Sequence, residues 1–132
     1  MDDQQPKPVD DIIRDDARYP PRAYAFLRDG LTKAGQEIYG ETPTNPRGER
    51  HVTGEQLCLA LRDLAIERWG MLAPTVLENW NIRATIDFGN MVYLLIQHGI
   101  MKKTEEDSIE HFRDVFDFEK GFEIEDKFEL KE

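Results

Sequence analysis

Apolar side chains recur along most of the chain at steps of three and four. Tyr24, Leu27, Leu31, Ala34 and Ile38 are spaced this way, which predicts a long helix over residues 21–39. Pro21 suits its first turn, where a missing N–H costs nothing. Gly30 and Gly35 weaken the pattern without cancelling it. Leu57, Leu61, Leu64, Ala65 and Trp69 mark a second helix over 53–69, and Phe88, Met91, Val92, Leu95 and Ile96 a third over 85–98. A short helix at 74–80, with Val76, Leu77 and Trp80 turned inward, is expected between them.

The boundaries carry their own signals. Thr53-Gly54-Glu55-Gln56 fits a capping box, in which the Thr hydroxyl accepts from the third helical amide and Gln56 reaches back. Gly70 and Gly99 are placed to stop helices, and Asn81 can end one in a left-handed conformation. Thr85 reads as an N-cap with Asp87 in the first turn, where negative charge is favoured. Residues 40–50 hold two prolines and two glycines and read as a loop.

Outside the three stripes the pattern is weaker. Residues 10–18 can form one or two helical turns around Ile12 and Ile13. Ile100-Met101-Lys102-Lys103 reads as a short strand, and 104–108 as an acidic turn. Residues 109–118 are ambiguous between helix and strand, and Phe122, Ile124, Phe128 and Leu130 alternate with acidic residues. The expected fold is mainly α: one compact helical domain over 19–122, between acidic tails at 1–18 (partly disordered) and 123–132. Three helices followed by a short β-wing, with an extra N-terminal helix, also have the order of a winged helix.

Composition narrows the setting. A chain of 132 residues with 39% apolar residues, seven Phe, four Tyr and two Trp can build one core without a metal or disulfide. Cys58 is the single cysteine, which excludes an intrachain disulfide and a multi-cysteine metal site. The first residues have neither a basic region nor an apolar run, so a secretory signal is not expected. No apolar run approaches the ~20 residues of a membrane span, and a cytoplasmic protein is expected.

The net charge of −10 belongs to the ends. Residues 1–18 hold six acids and three bases, and 104–132 hold twelve acids and four bases, whereas 19–103 hold nine acids and ten bases. Such a balance suits solubility or a basic protein surface better than phosphates or anionic membranes.

Candidate chemistry is sparse. In a winged helix the helix at 85–98 would enter the major groove, but its outward face offers Asp87, Asn90, Tyr93 and Gln97 and no Lys or Arg. Only Arg83 before it and Lys102 and Lys103 after it could meet phosphates. Arg47, Arg50 and His51 lead into the capped helix and are candidates for an anion site; a surface loop whose charges cap the helix is the commoner arrangement. Asp107 and His111 lie four apart, as a metal pair would on a helix, but a solvated acidic turn is the simpler reading and no metal site is expected. Cys58 reads as a small core residue, Ser108 lacks an elbow motif, and His98 reads as a helix-end cap. No catalytic residue and no cofactor is assigned. Trp69 and Trp80 should pack the corner between successive helices.

Several segments together resemble a known family. They are Arg50 to Cys58, Trp69-Gly70-Met71-Leu72-Ala73, Thr85-Ile86-Asp87-Phe88-Gly89, Lys103 to Ser108, and Val115-Phe116-Asp117-Phe118. The chain is similar, from about Tyr19 to Phe122, to an uncharacterised family of small acidic bacterial proteins restricted to Verrucomicrobia and Planctomycetes. That resemblance implies a bacterial cytosolic protein and supplies no activity or site residue. Three functional classes follow. The first is a non-enzymatic protein-interaction or regulatory module whose acidic ends meet a partner with a basic surface. The others are a winged-helix transcriptional regulator that binds nucleic acid, and a small-ligand or anion binder built on Arg47, Arg50 and His51.

Overall fold

The computed structural model of the chain describes residues 8–40, 51–103 and 107–122. Helix α1 (Val9–Asp16) is short, and Ala17 closes it in the left-handed region at φ 63°. Its Ile12 and Ile13 are buried, so α1 is part of the folded body although it lies inside the segment expected as a tail. Helix α2 (Pro21–Tyr39) starts on the proline pair and ends at Gly40. Its stripe is as expected at Tyr24, Leu27 and Ala34, but Phe26 is buried and Ile38 is exposed.

Helix α3 (Gly54–Trp69) begins on the capping box. The Thr53 hydroxyl accepts from the Gln56 amide at 3.1 Å, and the Gln56 side chain accepts from the Thr53 amide at 2.9 Å. It runs antiparallel to α2. Early α2 meets late α3 through Phe26 and Trp69 and through the Arg68–Asp29 ion pair at 2.8 Å. Late α2 meets the start of α3 through the Tyr39 hydroxyl, which donates to the His51 carbonyl at 2.6 Å.

A 3₁₀ turn (Gly70–Leu72) leads into α4 (Ala73–Asn79). The amides of Asn81 and Ile82 donate to the carbonyls of Glu78 and Leu77, with Asn81 at φ 67°. This is the left-handed stop expected of Asn81. It turns Ile82, fully buried, back under the helix it ends. Trp69, Trp80 and Phe26 meet at ring separations of 5.2–5.9 Å, each such pair adding about 0.5–1.5 kcal/mol to the burial itself. The expected tryptophan corner is formed.

Helix α5 (Thr85–Gln97) is the central element: no residue from Thr85 to Ile96 is fully exposed. Its cap differs from the expectation. Ala84 is the N-cap, and Asp87 accepts from the amides of Arg83 at 2.8 Å and Ala84 at 3.1 Å. Thr85 is buried instead, donating to the Phe112 carbonyl at 2.6 Å and accepting from the Val115 amide at 3.1 Å. At the other end the amides of Gly99 and Ile100 donate to the carbonyls of Ile96 and Leu95, with Gly99 at φ 75°.

After α5 the expected strand at 100–103 is a bend and coil, and the described residues contain no strand at all. The fold is a mainly α, compact domain, and among the described residues it shows no β-wing of the kind a winged helix carries. The ambiguous stretch resolves into a 3₁₀ turn (Ile109–Phe112), irregular chain and one turn of α6 (Phe118–Gly121). This return segment lies against α3 and α5 because two residues there lack side chains. A Cβ on Gly89 would sit 2.8 Å from Phe112, and one on Gly54 would sit 3.0 Å from its ring. Phe116, Phe118 and Phe122 then cluster at ring separations of 5.2–5.5 Å. Among the described residues no helix is long and apolar enough to cross a membrane.

Candidate functional site

A cavity of about 300 Å³ opens at the end of the bundle where α2 finishes and α3 begins. Its floor is apolar: Leu31 of α2, Leu57 of α3, Val92 and Ile96 of α5, with Met101 and Phe112 beyond. The floor exists because Gly99 turns the chain sharply after α5. Asp107 and Ser108 lie beside His51 and Gly54 at the start of α3, and Phe112 returns to the core. Polar groups are confined to the lip, where His51, Lys102, Lys103, Asp107 and Ser108 gather around Tyr93.

His51 and Asp107 face each other across the lip, with Nε2 3.2 Å from Oδ1. Both are less than one-third exposed, so the contact is better shielded than a surface ion pair. Burial, and to a lesser degree the charge of Asp107, push the Tyr93 phenol above its ordinary range. Its hydroxyl is shielded from water and has no hydrogen-bond partner among the described residues. Lys102 and Lys103 are exposed and make no ion pair among the described residues.

Ser108, His51 and Asp107 have the composition of a nucleophilic triad but not its geometry. A triad needs the imidazole to reach the hydroxyl on one side and the carboxylate on the other. Among the described residues no hydrogen bond joins His51 to Ser108, whose Oγ accepts from the Glu110 amide at 3.1 Å and caps the 3₁₀ turn. Cys58 offers no alternative nucleophile. It is fully buried, and desolvation pushes its thiol up to about 12, as the sequence led one to expect of a core cysteine.

The other candidates fall apart in space or lie elsewhere. Arg47 and Arg50 lie outside the described residues, so His51 is the one member of that set placed at the cavity. His111 is exposed, and the described residues contain no group of three His, Cys, Asp or Glu able to hold a metal. His98 is exposed at the end of α5. Arg83 pairs with Glu78 at 3.3 Å, one helix length (about 20 Å for thirteen residues) from Lys102 and Lys103. The face of α5 expected to read bases is covered. Asp87 accepts from the Tyr19 hydroxyl at 2.6 Å, the Asn90 amide donates to that hydroxyl at 3.2 Å, and Tyr93 packs edge-on to Phe112. Gln97 alone of that face stays exposed.

A second hollow, beside Arg83, Ala84, Asp114 and Phe116, measures about 410 Å³. It is shallower, and the two helix-start amides there are already taken by Asp87.

No protein-family model, curated protein or solved structure matches the chain. Sequence reasoning missed the pairing of His51 with Asp107 and the place of Tyr93. No local pattern announces a contact between residues so far apart in the chain. The one available signal was glycine inside two helical patterns, at Gly54 and Gly89, where a missing side chain allows a close approach.

Proposed function

We propose that this domain is a non-catalytic, ligand-binding module that takes a small, largely apolar molecule into the cavity between α2, α3, α5 and the return segment. The observation that carries the reading is the separation of chemistry within the cavity: an apolar floor and ionisable groups only at the lip. Binding pockets are built this way, with few polar groups fixing the orientation of a mostly apolar ligand. At about 300 Å³ it is roughly twice the ~150 Å³ engineered cavity that holds one benzene. An occupant of about a dozen non-hydrogen atoms fits. The lip residues Lys102, Lys103, Asp107 and Ser108 are the natural reporters of occupancy, which makes a regulatory role the simplest use of such a site.

The test is a titration of the full chain with 1-octanol followed by amide NMR. Shifts are expected at Leu57, Val92 and Ile96, and Ile96→Trp, which fills the cavity from its half-buried wall, is expected to remove them while leaving the rest of the spectrum folded. Unchanged spectra up to the solubility limit of octanol sink the reading.

Docking of a basic protein partner by the acidic ends stands as the competing proposal. Deleting residues 1–18 is a poor test of it, because Ile12 and Ile13 are core residues, each contributing about 1.5–3 kcal/mol. Replacing the acids of residues 2–11 with Asn or Gln keeps the core and reads charge alone. Nucleic-acid binding through α5 gains no support from a helix whose outward face is covered. The bacterial family resemblance brings no activity to either reading.

A further inference from the structure

The charge of the lip narrows the class of ligand. Two of its ionisable groups, His51 and Asp107, already face each other at 3.2 Å, so Asp107 has a hydrogen-bonding neighbour within the protein. Lys102 and Lys103 are exposed at the same lip and make no ion pair among the described residues. Their ammonium groups can therefore reach a ligand head group without breaking a contact. Helix α3, sixteen residues long, also begins at this lip, with Gly54 lining the cavity, and its positive dipole end adds to the same sign of field. Asp107 is the only carboxylate lining the cavity among the described residues.

We infer that the cavity selects an amphipathic monoanion: an apolar body of about eight to twelve carbons carrying a single carboxylate, with the body on the Leu57, Val92 and Ile96 floor and the head group between Lys102 and Lys103. The inference rests on the cavity reading above and adds the sign of the ligand to it. An opposite charge within about 4 Å at a partly wet site is worth a factor of several in affinity, screened by salt. A phosphate-rich ligand would need donors on several sides, whereas among the described residues the lysines of the lip are the neighbouring pair Lys102 and Lys103.

Three probes sharing one apolar body separate the possibilities: octanoate, octylammonium and 1-octanol, each titrated into the full chain by calorimetry at pH 7 in 20 mM and 500 mM salt. Octanoate is expected to bind about five- to tenfold more tightly than octylammonium at low salt, with the gap narrowing at high salt. Lys102→Gln/Lys103→Gln is expected to collapse the preference for octanoate over octanol, and Lys120→Gln, on α6 away from the lip, to leave it intact. Octylammonium binding as well as octanoate overturns the inference, and so does a preference for octanoate that survives the double substitution. That outcome would mean that the preference does not come from these two lysines. If octanol binds and charge makes no difference, only this inference fails; if none of the three binds, the cavity reading fails with it.

Discussion

The two ends of the same bundle are built on opposite principles. At one end Phe26, Trp69 and Trp80 meet ring to ring, while Tyr19, Asp87 and Asn90 satisfy one another and the exposed amides at the start of α5. At the other end the helices border an apolar cavity with two lysines at its lip that make no ion pair among the described residues, while each end buries one phenol, Tyr24 or Tyr93, that lacks a hydrogen-bond partner among them. Stability is concentrated where the chain is closed, and chemistry is available where it is not. Natural proteins commonly accept local cost at the place that binds, and support it from elsewhere in the fold.

The strongest way to break that contrast is to truncate one large residue at each end and compare chemical denaturation. Phe26→Ala should cost about 3–5 kcal/mol, as expected of a fully enclosed aromatic. Ile96→Ala, on the cavity wall, should cost clearly less than that, because part of its surface already faces a void. Equal losses would show that the cavity end is as tightly packed as the aromatic corner.

The next largest effect concerns the joint between the two ends. Gly89→Ala gains up to about 1 kcal/mol of helix propensity but drives a methyl into Phe112. A net loss of about 1–2 kcal/mol is expected, since overpacking costs about 1–3 kcal/mol. A double-mutant cycle with Phe112→Leu should recover part of it. Asp87→Ala should then cost about 1–2 kcal/mol by uncapping α5 and leaving the Tyr19 hydroxyl short of its acceptor. At the open end, His51→Ala should change stability by less than about 1 kcal/mol.

Alkaline pH sharpens the same comparison. Burial, chiefly, pushes Cys58 from its ordinary 9.0 to about 12, and Tyr19 and Tyr24 from 10.0 to about 12. All three are raised, so the folded chain keeps protons that the unfolded chain releases. Their contribution is complete below about pH 9 and is lost progressively as pH rises from 9 to 12. Denaturation midpoints measured from pH 7 to 11 should be flat at first and then fall. A midpoint that rises above pH 9 would contradict the burial of these groups.

Much of the closed end was legible in the sequence. Helices whose apolar positions recur every three or four residues announce themselves, and so do the capping box at Thr53 and the stops at Gly70, Asn81 and Gly99. The open end was not, because its contacts are between segments. His51 meets Asp107, and Phe112 meets Gly54 and Gly89, with nothing in the intervening chain to relate them. Thr85 misled for a related reason. A threonine ahead of a helix is usually a cap, but here its hydroxyl is claimed by the return segment and Asp87 caps in its place. The strand expected at 100–103 fails because the turn at Gly99 leaves those residues no neighbouring strand to pair with among the described residues.

The lodging of Phe112 between two glycines also fixes the order in which the domain can be completed. Until residue 112 is available, the groove between α3 and α5 presents bare helix backbone and the edges of Leu57 and Val92. On a ribosome the helical hairpin can form early, but the groove cannot close until the return segment that carries Phe112 has emerged, and it stays open to proteases and chaperones until then. A chain ending at Lys103 should be cut rapidly within α5 by a protease that leaves the full chain intact.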